Sequence, residues 1–300
     1  MRLRPALLAI VAFVFAALAM SIPAAAQAPA DGPPGVDEIT WVNPPESLPP
    51  GVSHHTFRSD RLGRDVGYTI YLPPSYEGGT DVFPVIYWLH GRGGNESDLR
   101  PSVALHAEIE AGRAEPLVLV TVNGGAGSGY FDNPETGVLS ESLIIRDLIP
   151  HIEETYRVSD SQSGRGIAGF SMGGAGAVRL VLRNRGVFGA FVSYGGQLFP
   201  QAALMEEHAL TDRDFATEHD VYFLAVNSLA SLRGVGMQFY VGSEDQYLSD
   251  NRRFATHLEA NDMSPGFDEI PGLDHNLAGY LTAVGEDTFR FFSERLQPGS

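Results

Sequence analysis

The 300-residue sequence contains no cysteine and no lysine. Without cysteine there is no disulfide framework, no thiolate nucleophile, no Cys-ligated zinc or iron–sulfur centre, and no lipid-bearing N-terminal cysteine. Without lysine there is no ammonium of the kind that grips a nucleotide phosphate, and GxxxxGK[ST] does not occur. All 20 basic residues are arginines, set against 37 acidic ones, for a net charge of −17. Such a surface repels a phosphate backbone, so nucleic acid is not an expected partner.

Long apolar runs are also scarce. One lies at the start, where Arg2 and Arg4 precede an unbroken apolar stretch from Ala6 to Met20 and Ala24-Ala25-Ala26 follows. That layout is a secretory signal peptide, residues 1–26, with cleavage expected after Ala26. The alternative is a retained anchor, but a bilayer span needs about 20 apolar residues. The expectation is therefore a secreted or periplasmic protein with no stable membrane anchor after cleavage. Lacking disulfides, it must be held by its core, and residues 27–300 suffice to bury a large one in a single domain.

Residues 27–53 carry Pro33-Pro34, Pro44-Pro45 and Pro49-Pro50 and have no periodicity, as in a tether or a surface-hugging arm. From residue 54 to 297 the pattern is that of a folded domain. His55–Ser59 and Asp65–Leu72 read as strands joined by a turn. Pro84–Leu89 and Pro116–Val122 are continuous apolar runs, as in strands buried on both faces. Helices are expected over Ser102–Ala111, Ser140–Tyr156 with a bend at Pro150, Gly173–Arg183, Asp250–Glu259 and Ala278–Leu296. Gly166–Phe170, Val187–Tyr194 and Met237–Val241 complete an alternation that implies an α/β fold: a mostly parallel sheet with helices on both faces.

The chemistry concentrates at Gly169-Phe170-Ser171-Met172-Gly173. GxSxG alone is weak, but here it ends an apolar strand and opens an Ala/Gly-rich helix, as a nucleophile elbow requires. A serine nucleophile needs a base later in the chain, after an acid, in the order Ser, Asp or Glu, His. Of nine histidines, His275 lies beyond Ser171 in a loop, Gly272–Asn276, whereas His257 falls mid-helix and His208 and His219 in a polar helical region. The acid should follow the late strand; Asp245 is preferred, with Glu244 second and Asp250 also nearby. Backbone N–H groups of Met172 and of Arg92, in the loop after Leu89, are the expected oxyanion donors, with His90 bracing that loop.

Taken together these segments resemble the esterase family of the α/β-hydrolases, which includes feruloyl esterases, short-chain carboxylesterases, S-formylglutathione hydrolases and mycolyltransferases. The resemblance runs from Thr56 to Phe292, through Leu62-Gly63-Arg64, Val66–Pro73, Pro84–Gly91, Asp147–Ile152, Ile167–Gly174, Gly242–Asp245 and Gly272–His275. It implies an α/β-hydrolase fold with a small cap at residues 197–234 and a triad of Ser171, Asp245 and His275; no cofactor is expected, nor a metal, since the spacing of Glu244, Asp245 and Asp250 does not match an EF-hand loop. It implies acyl transfer from a small-molecule or carbohydrate-linked ester to water; transfer to an alcohol and a non-catalytic binding role are the alternatives. Export disfavours S-formylglutathione, a cytoplasmic substrate. The Gly-rich stretch Asn123–Asp132 departs from relatives, and the cap matches no one member, so the ester itself is not indicated.

Overall fold

In a computed structural model of the protein, residues 33–297 are described. The expected signal peptide and the first residues of the arm lie outside them. An eight-stranded sheet runs in the order β1-β2-β4-β3-β7-β8-β9-β10. Its strands are β1 (Val52–Ser59), β2 (Arg64–Tyr71), β3 (Val85–Leu89), β4 (Val118–Val122), β7 (Arg165–Phe170), β8 (Ala190–Tyr194), β9 (Gly236–Gly242) and β10 (Gly266–Ile270). Strand β2 pairs antiparallel with both neighbours and every other pairing is parallel. This is the α/β-hydrolase fold. A two-stranded ribbon, β5 (Asp132–Asn133) with β6 (Val138–Leu139), lies outside the main sheet.

The central strands are apolar without interruption because both faces are covered. Alternation sends Ile86 and Trp88 to one face and Val85, Tyr87 and Leu89 to the other. The first face packs on α1 (Arg100–Glu110) and α9 (Leu277–Arg295), through Leu105, Phe289 and Phe292. The second packs on α4 (Met172–Arg183) and α8 (Leu248–Glu259), through Ala177, Leu180, Phe254 and Leu258.

The helix expected to bend at Pro150 runs as α2 (Ser140–Ser142), a π-helical turn (Leu143–Leu148) and α3 (Ile149–Thr155). Proline cannot supply the N–H that an α-helical ladder needs, so the irregularity falls in the turn just before it. Three short helices, α5 (Gln201–Glu207), α6 (Arg213–His219) and α7 (Val221–Ser228), make up the cap region. Asp212 and Asp220 cap α6 and α7, each accepting from two backbone N–H groups.

The domain boundary expected at residue 54 does not coincide with a structural break. Strand β1 begins at Val52, and Ile39 and Trp41 from the arm belong to the main core. The Trp41 carbonyl accepts from Gly67 N–H of β2 at 2.8 Å, and Arg64 pairs with Asp37 at 2.7 Å. The buried Glu96 carboxylate receives the backbone and side-chain amides of Asn43. Deleting a buried ring such as Trp41 costs about 3–5 kcal/mol, so residues 33–53 are structural rather than a free tether.

Candidate active site

In an open parallel sheet, ligands bind beyond the carboxyl ends of the strands, where the strand order reverses. Here the reversal lies at β3, flanked by β4 and β7. The loop after β3 carries Arg92, the turn after β7 carries Ser171, the loop after β9 carries Asp245 and the loop after β10 carries His275.

Ser171 occupies a turn with φ +59° and ψ −117°, a conformation that non-glycine residues rarely adopt. Strand and helix meet so closely there that a Cβ on Gly169 would collide with the Gly173 carbonyl, and one on Gly173 with the Leu89 carbonyl. This explains the two flanking glycines of GxSxG. The Ser171 Oγ lies 2.8 Å from His275 Nε2, and His275 Nδ1 lies 2.7 Å from Asp245 Oδ2. Phe170 stacks on the imidazole at 4.5 Å between centroids, and Tyr247 meets it edge-on at 4.9 Å. The ring is thereby held between two aromatic walls.

The three residues expected as a triad are thus brought together. Asp245 is buried, whereas Glu244 is exposed, so the acid is the first choice. Asp250 falls in the first turn of α8, and His257 donates from Nε2 to the Tyr222 carbonyl at 3.0 Å, a packing role.

Met172 is the first residue of α4, and neither its N–H nor that of Arg92 is consumed by a hydrogen bond among the described residues. A Cβ placed on Gly91 would lie 3.5 Å from the Ser171 Cβ, so the loop after β3 runs directly beside the serine. His90 braces it. Its Nδ1–H donates to the Gly91 carbonyl at 2.9 Å and its Nε2 accepts from Gly124 N–H at 3.1 Å. Both ring nitrogens are committed in the neutral form, and burial lowers the imidazole's basicity. Tyr130 donates to the His90 carbonyl at 2.9 Å, and Gly93 N–H reaches the Ala126 carbonyl at 2.7 Å. The Gly-rich stretch that set this sequence apart therefore serves as the platform for the loop.

Two features of the site were not anticipated. The Arg92 guanidinium pairs with Glu207 of α5 at 2.6 Å, tying the loop to the cap. Gly195, after β8, has φ +49°, and a Cβ there would lie 2.6 Å from Asp245 Oδ2 and 3.1 Å from His275 Nδ1. Only a residue without a side chain fits against this junction. Gly195→Ala is expected to lower kcat/KM by about 100-fold, the scale of a 1 Å misplacement of reacting groups. Initial rates on an ester, with thermal unfolding as the control for folding, check this.

Beneath the cap, Arg179 of α4 is fully buried and, among the described residues, paired with no carboxylate; it donates to the His219 carbonyl at 3.0 Å and to the Gly129 carbonyl. It lies under Phe131, against which His208 and His219 also pack. These two histidines are buried rather than placed on a polar surface. Desolvation first, and Arg179 second for His208, push each imidazole down to about 3.

The family model described as Esterase matches residues 59–297, and the chain belongs to that family. Esterase Rv1288 of Mycobacterium tuberculosis is 32% identical over 152 residues, which cover 49% of this chain. An endo-1,4-beta-xylanase/feruloyl esterase of Xylanibacter ruminicola is 28% identical over 157 residues, again 49% of this chain. The chain spans only 32% and 22% of the length of those two proteins. Among solved structures, a ferulic acid esterase superposes with a TM-score of 0.72 at 25% identity, over 82% of this chain and 98% of that one. An S-formylglutathione hydrolase from Agrobacterium tumefaciens gives 0.69 at 19% identity, over 84% and 98%, a likeness of fold.

Proposed function

We propose that the protein is an exported serine esterase that cleaves carboxylic esters through an acyl-enzyme on Ser171. The observation that carries this reading is the Ser171–His275–Asp245 chain, with links of 2.8 and 2.7 Å, at the point where the strand order reverses. His275 Nε2 takes the Ser171 proton as Oγ attacks the ester carbonyl, and Asp245 holds the imidazole in the tautomer whose Nε2 is free to accept. The backbone N–H groups of Met172 and Arg92 receive the oxyanion, aided by the N-terminus of α4. His275 returns the proton to the departing alkoxide. It then activates water, which releases the acid and regenerates the serine.

The substrate class is a small-molecule or carbohydrate-linked ester. Membership of the Esterase family and the names of the relatives support an ester, and the net charge of −17 argues against a nucleic-acid partner. The apolar N-terminal stretch supports export by a cleaved signal. No helix among the described residues is long and apolar enough to cross a membrane. The chemistry alone would also allow an alcohol to replace water as acyl acceptor. Hydrolysis of short-chain p-nitrophenyl esters, with products analysed with and without added methanol, tests the reading. Free acid as the main product without methanol is expected; turnover that requires an added alcohol would make the protein a transferase.

A further inference from the structure

Tyr280 lies in α9, five residues beyond His275, and is fully buried. Its hydroxyl lies 2.7 Å from the Gly242 N–H, which can only donate, so the phenol oxygen accepts there. Its own proton is then free for Asp245 Oδ2, 2.6 Å away. That is the same oxygen that receives the His275 Nδ1–H at 2.7 Å. Asp245 Oδ1 accepts from Tyr247 N–H at 2.8 Å. The carboxylate accepts from all three donors, and every proton in the chain from Gly242 to Ser171 has an assigned direction. A Cβ on Gly195 would also lie 3.0 Å from the Tyr280 oxygen, so the backbone leaves room for this junction and nothing more.

We propose that Tyr280 is a positioning residue for the ester-cleaving triad: it holds Asp245 in line with His275 and, by sharing its oxygen, limits how strongly the carboxylate stabilises the imidazolium. The inference rests on the serine-esterase reading above. Burial, then the hydrogen bond and charge of Asp245, raise the phenol well above its ordinary range, which favours the protonated, donating form. The other ionisable groups around the junction are Tyr247 from the β9 loop, Asp274 beside His275, and Tyr194 and Tyr240 from the sheet. Glu207 of the cap acts on Tyr247. Among the hydrogen bonds described, no side chain other than Tyr280 and His275 donates to Asp245.

The test is the pH dependence of kcat/KM on a p-nitrophenyl ester for wild type, Tyr280→Phe and Tyr194→Phe, each checked by thermal unfolding. Tyr194 lies in the same aromatic stack, 5.9 Å from Tyr280, but its hydroxyl bonds Thr288. In Tyr280→Phe, kcat should fall about tenfold with KM nearly unchanged. The acidic limb should move up by about half a pH unit, because the unshared carboxylate favours the imidazolium. Tyr194→Phe should leave the limb in place. A fluorinated tyrosine at position 280, a stronger donor of the same shape, should move the limb down, and it serves also if the phenylalanine variant fails to fold. A limb that stays put in both position-280 variants, whatever their stability, overturns the role of Tyr280 and leaves the serine mechanism standing. Wild-type turnover that does not depend on Ser171 overturns both.

Discussion

Ser171→Ala is expected to lower kcat by about 10⁴- to 10⁶-fold while leaving the fold intact. Alanine keeps the Cβ and tolerates the φ of +59° no worse than serine does, so the elbow is not further strained. What is lost is the oxygen 2.8 Å from His275 Nε2, and with it the acyl-enzyme route. The oxyanion donors and the binding surface remain, which is why the residual rate should still exceed that in water. Removing one hydroxyl of marginal structural consequence changes stability by less than about 1 kcal/mol. Matched melting curves together with initial rates on a p-nitrophenyl ester separate a catalytic loss from unfolding. A folded Ser171→Ala variant with near wild-type turnover would remove Ser171 from the mechanism.

The second large effect is on stability in acid. His208 and His219 are held neutral in the folded protein, with values of about 3 against an ordinary 6.5. The unfolded chain binds protons at these positions as soon as the pH falls below 6.5, whereas the folded chain does not. Their contribution is therefore complete above pH 6.5 and declines steadily from there down to about pH 3. Each histidine loses about 1.4 kcal/mol per pH unit across this window, so at pH 5 the pair together has lost about 4 kcal/mol. Glu141, 3.9 Å from His219 Nε2, could offset part of the loss, but it is already bonded by Arg183 and Asn184. A loss of that size is a large share of the 5–15 kcal/mol typical of whole domains. Denaturant midpoints at pH 7 and pH 5 should differ accordingly, and His208→Phe or His219→Phe should shrink the difference. Equal midpoints at the two pH values would contradict the burial of neutral imidazoles under the cap.

Much of the scaffold was legible because its signals are local and strong. The apolar runs at β3 and β4 and the Ala/Gly-rich opening of α4 each point to one arrangement, and the order Ser171, Asp245, His275 points to one kind of site. What escaped depends on partners remote in sequence. Ile39 and Trp41 lie in a proline-rich stretch without periodicity, and they become core residues only through remote segments, β2 beside Trp41 and the Gly125 loop beside Ile39. His208 and His219 follow or adjoin acidic residues that read as solvated, yet the cap folds them onto Phe131 and Arg179. The ribbon of β5 and β6, two residues per strand, is too short to leave a pattern. Tyr280 reads as one more apolar residue of a terminal helix; a tyrosine five positions after His275 was the only hint, and its hydroxyl gains meaning when the end of β9 arrives beside it.

Every step of the proposed reaction depends on Ser171 acting as a nucleophile activated by His275. The most direct test is to treat an enzymatically active preparation with a fluorophosphonate and map the adduct by peptide mass spectrometry. One label per chain is expected, on Ser171, lost in Ser171→Ala, with loss of ester hydrolysis in step with labelling. Full ester hydrolysis with Ser171 unlabelled, or a label on another residue that tracks the loss of activity, would contradict it.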